Sequence, residues 1–122
     1  MAASAATRAI PFNLPYPAGA QFPTQELTDS GAITIPCGLV VLNKAGVITA
    51  TLAAPTVNGL VLFISSETAQ AHKLDLASSG VSGHASNDVG TFGGAIADCV
   101  GLVSYDGHWY QFSNVNVTWA AT

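Results

Sequence analysis

The large apolar residues of this chain come in short bursts, and the length of those bursts limits what they can build. Leu39-Val40-Val41-Leu42 and Leu60-Val61-Leu62-Phe63-Ile64 are unbroken apolar runs bounded by turn-forming residues. Runs of about four to eight residues suit strands, and no window of the sequence sustains a helical period. Both runs are continuous rather than alternating, which is the pattern of strands buried on both faces. His72-Lys73-Leu74-Asp75-Leu76 instead alternates, so its even positions share one face of a half-exposed strand. Asn43-Lys44-Ala45-Gly46, Pro55 and Asn58-Gly59 punctuate these segments as turns. Asp106-Gly107 stands between Gly101-Leu102-Val103-Ser104-Tyr105 and His108-Trp109-Tyr110-Gln111-Phe112. That arrangement predicts a hairpin with a two-residue type I′ turn, since both central residues need positive φ. Val89-Gly90-Thr91-Phe92 supplies a further short strand, and Val115-Asn116-Val117-Thr118-Trp119 a peripheral one. No internal repeat stands out. The pattern predicts an all-β fold: a small antiparallel β-sandwich or barrel-like domain over residues 31–122.

Residues 1–30 read differently. Pro11, Pro15, Pro17 and Pro23 fall among Ile10, Phe12, Leu14, Tyr16 and Phe22. Proline fixes its own φ, pushes the preceding residue toward extended geometry and lacks a ladder donor, which disfavours both helix and central strand. The expectation is an extended arm with apolar anchors at short intervals. Its large apolar side chains supply about 1.5–3 kcal/mol each when buried. Fixing the backbone costs about 1–2 kcal/mol per residue, so the arm cannot order alone. It must lie on another surface, with Ile10, Phe12, Leu14, Tyr16 and Phe22 as the docking residues.

Composition decides the kind of surface. Charged residues make up 8% of the 122, with 3 Lys+Arg against 7 Asp+Glu and a net charge of -4. An ordinary soluble domain carries about a quarter. Clustered Lys and Arg are what a phosphate backbone requires, so nucleic-acid binding is excluded. The basic face of a membrane-surface helix is missing for the same reason. Ser, Thr, Asn, Gly and Ala must cover most of the exterior, which leaves it polar but weakly repulsive and suited to packing against other copies or a larger assembly. The alternative is a secreted monomer with a Ser/Thr exterior. Residues 1–10 lack the apolar stretch of a secretory signal. No apolar run approaches the roughly 20 residues that span a bilayer. The expectation is a protein made in a cytoplasm.

Little in the sequence points to catalysis. Cys37 and Cys99 sit in apolar segments without CxxC spacing and read as buried free thiols, with one bridge between them left open. His72, His84 and His108 form no HxH or HExxH pair, so no metal site is expected. Gly80-Val81-Ser82-Gly83 only approaches a nucleophile elbow, and Gly90-Thr91-Phe92-Gly93-Gly94 lacks the lysine of a phosphate loop. Asp106 serves its turn and Asp98 a strand end. Glu67 and Asp75 have no partner at useful spacing. Asn116-Val117-Thr118 matches a glycosylation sequon that reads as idle. The chain is therefore expected not to be an enzyme and to use no cofactor. Alternation puts Trp109 and Gln111 on one face of their strand and Tyr110 and Phe112 on the other. One set would fill the core and the other meet a neighbouring subunit. Trp109, Tyr110 and Trp119 are the candidates for a subunit-interface or glycan contact.

Several phrases are familiar together: Gly31-Ala32-Ile33-Thr34-Ile35-Pro36, Gly38-Leu39-Val40-Val41-Leu42-Asn43-Lys44-Ala45-Gly46, Leu52-Ala53-Ala54-Pro55-Thr56, Glu67-Thr68-Ala69-Gln70-Ala71-His72 and Tyr105-Asp106-Gly107-His108-Trp109-Tyr110. The stretch 31–110 resembles small bacteriophage structural proteins of the head decoration, cement or head-fibre kind. The resemblance implies a homotrimeric β-domain on the capsid exterior of a virion, fastened to the major capsid protein by its N-terminal segment. It brings no active-site residue with it. Similar phrases occur in tail-fibre and base-plate proteins, so the alternative is a tail-fibre or head-fibre tip module that binds host-surface glycans.

Overall fold

The computed structural model describes residues 22–77 and 80–122. The strands are β1 (Thr24–Leu27), β2 (Gly31–Ala32), β3 (Gly38–Leu42), β4 (Thr49–Thr51), β5 (Val61–Ser66), β6 (Lys73–Asp75), β7 (Val89–Phe92), β8 (Cys99–Tyr105), β9 (His108–Val115) and β10 (Val117–Ala120). A single 3₁₀ turn at Val81–Gly83 is the only helical element among the described residues. None of their helices is long and apolar enough to cross a membrane. The all-β expectation is met.

The strands form two five-stranded sheets, in the orders β9-β8-β5-β3-β1 and β10-β7-β6-β4-β2. Successive strands from β1 to β6 alternate between the sheets. A chain that leaves a sheet, lays a strand in the other and returns comes back running in its original direction. Accordingly β1, β3 and β5 pair in parallel, as do β2, β4 and β6. Later strands join by reversal, and β8, β9, β7 and β10 all pair antiparallel. Both sheets are therefore mixed and neither closes into a barrel, which corrects the antiparallel or barrel-like expectation.

The sheet also begins earlier than the sequence suggested, because β1 lies within the stretch 1–30 assigned to the arm. An edge strand tolerates a flanking proline, since only one side of it has a neighbour. The Pro23 carbonyl accepts the Leu39 N–H at 3.0 Å. At Gly38, with φ of 113°, a Cβ would stand 2.0 Å from that carbonyl oxygen, so the approach requires glycine. Gln25 ties β1 to the second sheet: Oε1 accepts the Thr34 N–H at 2.8 Å and Nε2 donates to the Ala32 carbonyl at 3.1 Å. Of the expected docking residues, Phe22 is 66% exposed. Ile10, Phe12, Leu14 and Tyr16 lie outside the described residues.

Between the sheets the core alternates along each strand. Val40, Leu42, Leu62, Ile64, Val100 and Leu102 of the first sheet meet Ala50, Leu74 and Phe92 of the second. Each large side chain buried there contributes about 1.5–3 kcal/mol. The hairpin forms as its sequence dictates, with Asp106 at φ 52° and Gly107 at φ 79°.

Candidate functional site

Each inward residue in a strand implies an outward neighbour, and register aligns those neighbours into rows. On the first sheet one outward row runs Val61–Val103–Tyr110. The next runs Leu39–Phe63–Gly101, where the β9 bulge sets Phe112 and Ser113 opposite one glycine. A third runs Val41–Ser65–Cys99–Val115. The result is an outer sheet face dominated by valine, leucine and aromatic residues over β9, β8, β5 and β3, and polar at the β1 edge, where Thr24 continues the Leu39 row and Glu26 the Val41 row.

Its relief comes from Gly101. A Cβ there would stand 2.8 Å from the Phe112 ring, so the ring occupies the space of the missing side chain. Phe63 meets Phe112 edge-to-face, with centroids 5.6 Å apart and an interplanar angle of 84°. The two rings make a ridge. Tyr105 and Tyr110 form a second pair, 6.2 Å apart. Beside them, Asn58, Gly59, Val103, Ser104, Tyr105 and Tyr110 line a shallow depression of about 490 Å³.

The outer face of the second sheet is chemically opposite. Its rows read Thr49–Lys73–Thr91–Thr118 and Thr51–Asp75–Val89–Ala120. Hydroxyl and charged groups dominate that face, as on a sheet facing water. Identical architecture thus presents one polar side and one that is apolar over most of its width.

Of the sequence candidates, Tyr110 lies on the apolar face. Trp109 is a core residue at 3% exposure, with its indole N–H donating to the Ala53 carbonyl at 2.9 Å. Trp119 packs half-buried over Gly90, and its N–H donates to Gln111 Oε1 at 2.7 Å. The surfaces of both tryptophans are largely spent inside the chain, so neither stands on the outer face with Tyr110. Phe63, Tyr105 and Phe112 take the outward places. The alternation rule correctly separates Tyr110 and Phe112 from Trp109. Phe63 could have been found from its odd position in the 60–64 run.

The polar candidates are occupied structurally. His72 is fully buried: its Nδ1 accepts the Ile48 N–H at 2.9 Å, and Nε2 lies 2.9 Å from Thr68 Oγ1. The Thr68 hydroxyl donates to the Lys44 carbonyl, so Nε2–H must be the donor to Thr68 and the ring is neutral. Burial lowers the His72 pKa below its ordinary value. Asp98, also buried, accepts the Ala95 N–H at 2.9 Å and the Asn116 amide at 3.2 Å. That bond turns the sequon nitrogen inward. His84 is exposed after the 3₁₀ turn, and His108 flanks the hairpin turn. Cys37 and Cys99 are free and half-buried rather than fully buried. Cys99 aligns with Val41 through Ser65, four residues along β3 from Cys37 and two strands away. That offset exceeds the roughly 7 Å Cα separation a bridge permits. Among the described residues, no three His, Cys, Asp or Glu side chains are grouped to hold a metal ion. No known protein family and no curated protein sequence matches this chain.

Proposed function

We propose that this chain is a structural virion protein, a capsid decoration or cement protein that binds the outside of a major capsid shell through its N-terminal arm and reinforces it. The contrast between the two outer sheet faces carries the reading. A subunit with one side suited to water and one to contact is built to be a component, and the scarcity of charge over the whole chain fits the same role. The resemblance of residues 31–110 to phage decoration proteins supplies the kind of assembly, a homotrimer on a capsid. The arm supplies the fastening: Ile10, Phe12, Leu14 and Tyr16 precede Phe22, which stands exposed just before the edge strand β1. Several arms on one multimer bind with avidity, so each contact is modest while release is rare.

A variant lacking residues 1–21 keeps all the described strands and tests this directly. Mixed with phage particles purified without the protein, the full chain is expected to co-sediment at saturating stoichiometry and raise the temperature at which the particles rupture. The shortened chain is expected to fold and self-associate but remain in the supernatant. Saturation of the particles by the shortened chain would end the arm assignment.

A further inference from the structure

The runs 39–42 and 60–64 have the continuous apolar pattern of strands covered on both sides. Among the described residues only one side is covered. Leu39, Val41 and Val61 stay half-buried, and Phe63, Tyr105 and Phe112 are 38%, 60% and 53% exposed. We propose that the outer face of the β9-β8-β5-β3-β1 sheet is the surface on which a second copy of this chain packs. The Phe63–Phe112 ridge of one copy sits in the depression beside Val103, Tyr105 and Tyr110 of the other. The inference deepens the multimer of the proposed function and rests on it only for the partners being like copies.

Charge identifies the occupant. The two ionic groups on this face, Glu26 and Glu67, lie together at its β1 edge beside Leu39 and Val41, and the rows Val61–Val103–Tyr110 and Leu39–Phe63–Gly101 carry none. At the ridge and the hollow beside it, a basic or acidic partner would find nothing to pair with. The complement of an uncharged apolar face is another of the same kind.

Area supports a specific contact. At side-chain areas of about 150–250 Å² each, the three exposed aromatics leave roughly 300 Å² of apolar surface uncovered. With the half-buried rows around them, the patch extends across the four strands β9, β8, β5 and β3, about 15 Å wide at the usual strand spacing. The aromatics alone thus match the lower end of the roughly 300–600 Å² that the largest, often functional, patch of a monomer exposes. A standard interface buries roughly 800 Å² per partner, an apolar centre inside a polar rim. The ridge and its surroundings supply the centre, and Thr24, Glu26 and Asn58 supply rim. Shape agrees too: with a projection and a hollow in adjacent rows of one face, each copy can fill its neighbour's hollow with its own ridge.

Sedimentation velocity of the full chain between about 1 and about 100 μM tests the proposal. The wild type is expected to run as a multimer that dissociates on dilution. Phe112→Glu and Phe63→Glu, at exposed positions, are expected to raise the dissociation constant roughly thirtyfold or more, the scale of an interface hot spot. Thr49→Glu, on the outer face of the other sheet, is expected to leave it unchanged. A second measurement needs no variant. Cys99 lies on the third outward row, so its alkylation by iodoacetamide, mapped by mass spectrometry, is expected to be slow in concentrated wild type and fast after dilution.

A wild type that stays monomeric at about 100 μM overturns the inference. So does a Phe112→Glu chain that assembles as tightly as wild type, or a Cys99 rate independent of concentration, which would mean the chain's own remaining residues or nothing covers the face. The two readings separate cleanly: self-association through this face without particle binding supports the inference and removes capsid decoration. A multimer indifferent to Phe63 and Phe112 overturns the inference and leaves decoration standing.

Discussion

The His72 ring accepts at Nδ1 and donates at Nε2, so adding a proton forces it to give up the Ile48 N–H while still shut away from water. Its folded pKa is therefore lower than the ordinary 6.5. In the unfolded chain the ring takes up a proton near that ordinary value. Stability from His72 is complete above about pH 6.5 and is lost as pH falls through the depressed folded value. Asp29 and Asp88 act in the same direction at lower pH. The Lys44 ammonium hydrogen bond lowers Asp29, and the Thr122 hydroxyl hydrogen bond lowers Asp88, each from 3.8. Between about pH 6.5 and pH 4.5 the histidine is the group whose shift acts. Urea midpoints measured across that window are expected to fall with acid in the wild type and to flatten in His72→Gln. An equal slope in the two proteins would remove His72 as the cause.

At the scale of elements, the β8–β9 hairpin shows what local chemistry can settle. Asp106 and Gly107 adopt positive φ because the turn twist demands it, and glycine meets that demand without steric cost. Gly107→Ala is expected to cost about 1–2 kcal/mol, read as a lower denaturant midpoint with an unchanged slope. A shift of under about 0.3 kcal/mol would mean that the turn contributes little. This hairpin was legible because its signal lies within two residues. Strand neighbours were not, because alternation says which side chains share a face and nothing about which strand lies alongside. Thr24 sits beside Leu39 and Leu39 beside Phe63, so one coil advances 15 residues and the next 24. Unequal coils leave no repeat in the sequence. Likewise alternation grouped Trp109 apart from Tyr110 but could not say which group turned inward. Glycines decide part of that, with Trp119 lying over Gly90 and Phe112 over Gly101. The candidate face itself was half legible: the 39–42 and 60–64 runs announced two covered sides, and only the fold reveals which side the described residues leave bare.

For the whole molecule, the lack of ionic groups sets its response to solvent. Among the described residues the one salt bridge joins Lys44 to Asp29 at 2.7 Å on the surface, where salt and water screen it. Apolar contacts are indifferent to such screening. Both the melting temperature and the self-association constant are accordingly expected to hold nearly steady from about 50 mM to about 500 mM sodium chloride. A tenfold weakening of association over that range, followed by sedimentation, would assign the contact to charge. The placement of β5 carries a consequence for biosynthesis. It lies at the middle of its sheet, between β3, which precedes it, and β8, where Val61 aligns with Val103. Until residues 99–105 leave the ribosome, the nascent β5 keeps one row of backbone amides and carbonyls bare, open to chaperones or to a sister chain on the same polysome. Translation, not collapse, sets the earliest moment at which this domain can close.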